Sequence, residues 1–130
     1  MDHPLGEPAI RVVARPADAN SYGDIFGGWL MSLMDMGAGL VAARQARGRA
    51  VTVAMDGTQF HLPVKVGDEV SVYAHTTRIG RTSMAISTEV WRRQRHEEQM
   101  TKVTEAIFTF VAMDDNGKPR PIKQENEPSV

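Results

Sequence analysis

The sequence contains no cysteine. That absence removes disulfides, a thiolate nucleophile and cysteine-ligated zinc, and it fits a reducing, cytoplasmic setting. There is also no excess of charge of one sign. Lys plus Arg number 15 and Asp plus Glu 16, for a formal charge of -1. Such a balance points to neither nucleic acid nor an anionic membrane as partner, although an even total can hide a local basic patch. The four histidines, His3, His61, His75 and His96, lack metal-ligand spacing, so no metal site is expected. His61 and His75 read as ordinary strand residues. No serine stands in a G-x-S-x-G elbow. The opening residues, Met1 to Pro8, show no basic segment followed by an apolar one, the pattern of a secretory leader.

One long apolar run is present, from Gly27 to Ala43. It is slightly short for a membrane crossing. Asp35 lies near its middle, where a bilayer would exact roughly 2.5–3.5 kcal/mol. The run therefore reads as a buried helix of a water-soluble domain. At 130 residues and 42% hydrophobic, the chain suits one domain, 1–130, with a single core. The tail from Asn116 to Val130, rich in Pro, Lys, Glu and Asn, reads as a partly ordered end or an extended strap.

The order of elements is strand, helix, then four strands. Ala9 to Ala14 reads as a first strand stopped by Pro16, and Asp18 to Asp24 as a loop. The helix spans about Phe26 to Arg47. Arg44 and Arg47 sit in its last turn, where cations complement the dipole, and Gly48 is the expected C-cap. Beyond Gly48 the period becomes two, around 51–55, 70–75, 84–91 and 106–111. Val66-Gly67-Asp68, Ile79-Gly80-Arg81 and the stretch from Arg95 to Gln99 are the turns. Turn-linked consecutive strands imply an antiparallel sheet. The fold class is thus α+β: a curved antiparallel sheet of about five strands wrapped around one long helix that is apolar on most faces.

Three constellations carry chemistry. Asp35, with Met31, Ser32, Ala38 and Gly39 as helical neighbours, is a carboxylate among apolar groups. Desolvation there would raise its pKa toward the range of a general base, whereas pairing with an arginine or facing a solvent gap would make it merely structural. Gly37 and Gly39 each cost helix stability, which makes sense if a backbone or a ligand passes close by. Next, Asp18, Asn20 and Ser21 precede the helix as potential caps, and Gly27-Gly28 open its first turn. Free amides at Gly27 and Gly28 can face a developing oxyanion. Last, Arg78, Gly80, Arg81, Thr82 and Ser83 at a strand turn can hold a phosphate or form a plain solvated hairpin. Lys65 is a further basic candidate. Gly37-Ala38-Gly39-Leu40-Val41-Ala42 mimics a dinucleotide fingerprint but lies mid-helix, where that motif does not work.

These residues resemble the YciA-type acyl-CoA thioesterases of the hotdog-fold acyl-CoA hydrolase family. The likeness rests on Asn20 to Gly28 with Trp29 to Gly37, above all Gly23-Asp24-Ile25-Phe26-Gly27-Gly28-Trp29 followed by Met34-Asp35. It continues through Gly48 to Val53, Pro63 to Asp68, Glu89 to Trp91, Thr104 to Phe108 and Asn116 to Arg120. The resemblance implies a hotdog fold and hydrolysis of acyl-CoA to free acid and CoA. CoA is then part of substrate and product, and no separate cofactor is needed. It also implies that Asp35 is the catalytic carboxylate and that two subunits share the site. Asp24 stands where tandem-repeat relatives carry an assisting asparagine, and Asn20 is the nearest amide to serve instead. A homodimer follows from the physics as well, because one sheet covers one side of a helix that is apolar nearly all round. A hexamer of three dimers follows from the resemblance alone. Rival readings are a non-catalytic acyl-CoA binder, which would not need Asp35, and an enoyl-CoA hydratase. The hydratase pattern D-x-N-x-x-H is met by Asp18 and Asn20 but has Gly23 in place of its histidine.

Overall fold

The computed structural model describes residues 3–122. Its elements are β1 (Ile10–Val13), a short 3-10 turn (Pro16–Asp18), α1 (Gly27–Ala46), β2 (Ala50–Phe60), β3 (Glu69–Ile79), β4 (Ser83–Arg93) and β5 (Met100–Ala112). The expected order of strand, helix and four strands is present, as the hotdog arrangement. The strands form one five-stranded sheet in the order β1-β3-β4-β5-β2, antiparallel at every step. Among the described residues no helix is long and apolar enough to cross a membrane.

The strands run further than alternation alone foretells. Period-two patterning ends near Met55, yet β2 continues to Phe60 because β5 supplies a ladder as far as Thr104. Register shifts at Thr52/Ala54 and Asp56/Gln59 break that ladder, as bulges do. β2 is an edge strand, paired on one side only.

The helix packs one face onto β2, β3, β4 and β5. Met34, Ala38 and Ala42, spaced four apart, are wholly buried in one cluster with Val72, Met84, Ile86, Val90, Phe108 and Phe110. Gly37 marks the tightest approach to the sheet. A Cβ there would lie 2.9 Å from Cγ1 of Val72, so the sheet and not a ligand demands this glycine. Gly39 has more room, since its Cβ would meet only the Phe110 ring at 3.9 Å.

The helix ends one residue earlier than Gly48 suggests. Arg47 itself takes the left-handed conformation, at φ 54. Its N–H and that of Gly48 close back on the carbonyls of Arg44 and Ala43. Gly48 is required for another reason: a Cβ there would lie 2.8 Å from the guanidinium of Arg120. Arg120 donates to the Ala46 carbonyl at 2.9 Å and to the Met113 carbonyl at 2.9 Å, capping the helix from the far end of the chain. Ile122 is buried and donates its N–H to the Arg81 carbonyl. The part of the tail from 116 to 122 is thus a strap, and the rest of the predicted tail lies outside the described residues.

Candidate active site

Asp35 leaves the buried face of α1. Gly28, Ser32, Asp35 and Gly39 follow at steps of four, three and four, so they form one stripe along the helix. Every residue of that stripe is small or polar, and Gly28, Ser32 and Asp35 are exposed. The desolvation anticipated for Asp35 is therefore not supplied within one protomer, because the sheet covers the opposite side of the helix. Instead Asp35 is held by one hydrogen bond: Thr52 Oγ1, on β2, donates to Asp35 Oδ1 at 2.5 Å. Of the two structural alternatives, an arginine partner is not observed among the described residues, whereas a solvent-facing Asp35 is what a single protomer presents.

The helix entry is not capped by a side chain. Its N-cap residue is Phe26. Asp18 and Asn20, read from sequence as potential caps, are committed elsewhere. Asp18 accepts from the Arg15 backbone N–H and guanidinium, at 3.1 and 3.2 Å. The Arg15 guanidinium holds the Asp18 carboxyl below the usual carboxylate range, against the opposing effect of burial. Asn20 Oδ1 accepts from the Tyr22 and Asp24 amides, at 2.9 and 3.1 Å, which fixes the loop as an Asx turn. Among the described residues nothing accepts from the amides of Gly27 or Gly28. These are orphan donors of a helix N-terminus at the positive end of its dipole. A Cβ on Gly28 would meet nothing within 4 Å, and one on Gly27 would touch the Phe60 ring at 3.4 Å. Open amides beside bare glycine are what an oxyanion site needs.

The remaining sequence candidates divide into two groups. Asp24 and Lys65 form an ion pair and an isolated antiparallel bridge, so Lys65 joins the helix-entry loop to the segment before β3. Arg78, Gly80 and Ser83 come together at the β3–β4 hairpin, where the Gly80 N–H donates to the Ser83 carbonyl at 2.7 Å. Arg78 and Arg81 are exposed, and Thr82 and Ser83 half-buried. The whole of β3 separates Lys65 from this turn, about 33 Å of strand, so one chain does not bring them into one phosphate site. The hairpin does share a row of the sheet with Thr52, through Phe110, Met84 and Ile79. Three strand spacings, about 14 Å, span that row. Gly23, at the position of the hydratase histidine, has φ 83, a conformation that favours glycine.

Thr52 is the residue sequence reasoning missed. It is one polar position in an alternating strand, and only the packing of helix against edge strand brings it to Asp35.

The thioesterase superfamily model matches residues 22–99, which include Asp24, Gly28, Asp35, Thr52, Lys65 and the hairpin arginines. An acyl-CoA thioester hydrolase of Zymomonas mobilis is 55% identical over 124 residues, covering 95% of this chain and 83% of that protein. The acyl-CoA thioester hydrolase YciA of Escherichia coli is 48% identical over 125 residues, covering 94% and 95%. Among solved structures, a hexameric thioesterase from Yersinia pestis superposes with a TM-score of 0.89 at 49% identity, covering 94% of this chain and 99% of that one. An uncapped helix entry, a carboxylate on the same stripe and these likenesses agree: the chain belongs to the thioesterase superfamily, among the acyl-CoA thioester hydrolases of the YciA kind.

Proposed function

We propose that the protein hydrolyses acyl-CoA to the free carboxylic acid and CoA, with Asp35 as the carboxylate at the reacting carbon. The observation that carries this reading is the stripe on α1, where an exposed carboxylate fixed by Thr52 shares one helix face with amides that have no other acceptor. Those amides polarise the thioester carbonyl and stabilise the oxyanion that forms when it is attacked. Asp35 takes a proton from water as the water adds to that carbon, or adds to it directly and is released by a later water. Both routes use the same carboxylate. On the first route Asp35 returns that proton to sulfur as the C–S bond breaks and CoA leaves as the thiol; on the second the C–S bond breaks as the mixed anhydride forms, releasing CoA thiolate before water cleaves the anhydride.

The stripe also argues for two copies. Gly28 and Asp35 are seven residues apart, about 10 Å of helix rise. A carbonyl oxygen bound by one and a carbonyl carbon attacked by the other require approaches of roughly 3 Å. A second protomer resolves this by lending its own helix entry, with Asn20, Asp24 and Gly28, to the first protomer's Asp35. The eleven-residue edge of β2 supports such pairing. Val53 and Phe60 on that strand are exposed large apolar residues, as are Phe26 and Met36. The hexameric Yersinia pestis relative supports a trimer of such dimers. Arg78, Gly80, Arg81, Thr82 and Ser83 are assigned to the nucleotide end of CoA. Lys65 keeps its ion pair and orders the entry loop. No cofactor enters this chemistry. The cysteine-free chain supports a cytoplasmic location.

Thiol release from short, medium and long acyl-CoAs tests the reaction. Binding without turnover would convert the reading to an acyl-CoA binder. Light scattering at low micromolar concentration tests the shared site, and an active species near 14.3 kDa would sink it. In the same assay Arg81→Ala should raise KM several-fold with little change in kcat, because a distal contact binds ground and transition states alike. An equal loss on a pantetheine thioester lacking the nucleotide would refute the phosphate contact.

A further inference from the structure

On the flank of α1 turned away from Asp35 lies a second recess. It is a cleft of about 380 Å³ between the N-terminal segment at Glu7, the C-terminal half of the helix and the middle of β3. Leu40, Val41 and Ala74 line it, with Arg44, His75 and Glu7 as its charged or titratable groups. Its volume is within the range of small-molecule sites. Leu40 and Arg44 stand about 140° and 180° around the helix from Asp35, so within one protomer the cleft does not belong to the catalytic stripe.

Three observations assign its chemistry. The first is the state of Arg44. Among the described residues its side chain makes no ion pair or hydrogen bond. Three of the last four carbonyls of the helix, those of Ala43, Arg44 and Ala46, which commonly attract a basic side chain there, are already met by the Gly48 and Arg47 amides and by Arg120. Its forked donors are therefore open to an outside acceptor, and their geometry matches a carboxylate. The second is an apolar wall beside that fork, at Leu40, which is 54% exposed, and Val41. The third is an open strand edge. β1 pairs with β3 only over Glu69–Val72, so Ala74 and His75 have no strand neighbour on that side among the described residues, and backbone groups border the cleft.

We propose that this cleft binds a small monocarboxylate with a short apolar chain. Arg44 grips the carboxylate and the Leu40–Val41 wall takes the chain. Glu7 limits the charge of the occupant, because a dianion would face its carboxylate. An anion with an apolar body follows from the cleft alone. Its assignment to a free acid, the product class of the thioesterase, rests on the proposed function.

Calorimetric titration of the assembled protein with sodium hexanoate tests the assignment. Saturable binding at about millimolar concentration is expected in the wild type. It should persist in Asp35→Asn and weaken at least about tenfold in Arg44→Gln, which removes the charged fork but keeps a polar side chain. Arg44→Gln should retain the wild-type kcat. Absence of saturable binding, or equal binding by Arg44→Gln, overturns the site. Loss of binding in Asp35→Asn also overturns it, by placing the acid on the catalytic stripe. Inorganic phosphate binding as well as hexanoate overturns the monocarboxylate assignment. Hydrolysis is measured separately. Hexanoate binding without thioester hydrolysis would sink the proposed function and spare the cleft, and the reverse result would do the opposite.

Discussion

The two faces of α1 differ in what they carry and in what covers them. One face carries Leu30, Leu33, Met34, Gly37, Ala38 and Ala42, all buried under the sheet. The other carries Gly28, Ser32, Asp35 and Met36, all exposed. A helix with one packing partner normally writes one apolar stripe and one polar face. On the proposed reading this helix serves two partners, the sheet of its own chain and a second copy. The contrast separates stability from the proposed chemistry: the sheet-facing side holds the fold, while the uncovered side holds Asp35 and the surface assigned to a second copy.

Substitutions on either face can break or sharpen that contrast. The largest expected effect is on the buried side. Met34→Ala should lower stability to denaturant by about 3 kcal/mol, since Met34 is fully buried and its removal leaves a cavity. The kcat per folded active site should stay near wild type, and a large fall in kcat without loss of stability would erase the division of labour. Next comes Asp35→Asn. Its kcat should fall at least about tenfold, equivalent to ~1.4 kcal/mol of barrier, with the helical circular dichroism unchanged. Retention of more than a tenth of the turnover would show that the exposed face is not the chemical one. The smallest effect is expected from Thr52→Val, which removes the donor to Asp35 and keeps the shape of the strand residue. A loss of a few-fold in kcat, about 1 kcal/mol, is expected with KM unchanged. An unaltered kcat would mean that Asp35 is positioned by something other than β2.

The element order was legible because the hydrophobic period changes at Gly48, and because Gly67 and Gly80 mark turns. Strand lengths were less so. Asp56 to Phe60 has no clean alternation, and β5 recruits it by backbone pairing across two bulges. Asp35 was visible because a carboxylate inside an apolar run stands out chemically. Its exposure was not, since the run alone does not tell which side the sheet covers. Thr52 was invisible for the same reason: its significance depends on a contact across 17 residues. The capping role offered to Asp18 and Asn20 failed because nearer donors, Arg15 and the loop's own amides, compete successfully for their oxygens. Lys65 was grouped with the hairpin arginines by charge, and the length of β3 keeps them apart.

The hydrogen bond from Arg120 to Ala46 joins residues 74 positions apart. Its consequence is temporal. A ribosome releases α1 early, when the carbonyl at its end has no donor from the strap. Closing so long a loop is slow compared with forming a helix, and it must wait for the strap to be made. The Arg47 and Gly48 amides close the last turn from within, and the Ala46 carbonyl alone waits for the strap. A chain cut before Arg120 would hold every strand of the sheet but leave the Ala46 carbonyl without this donor.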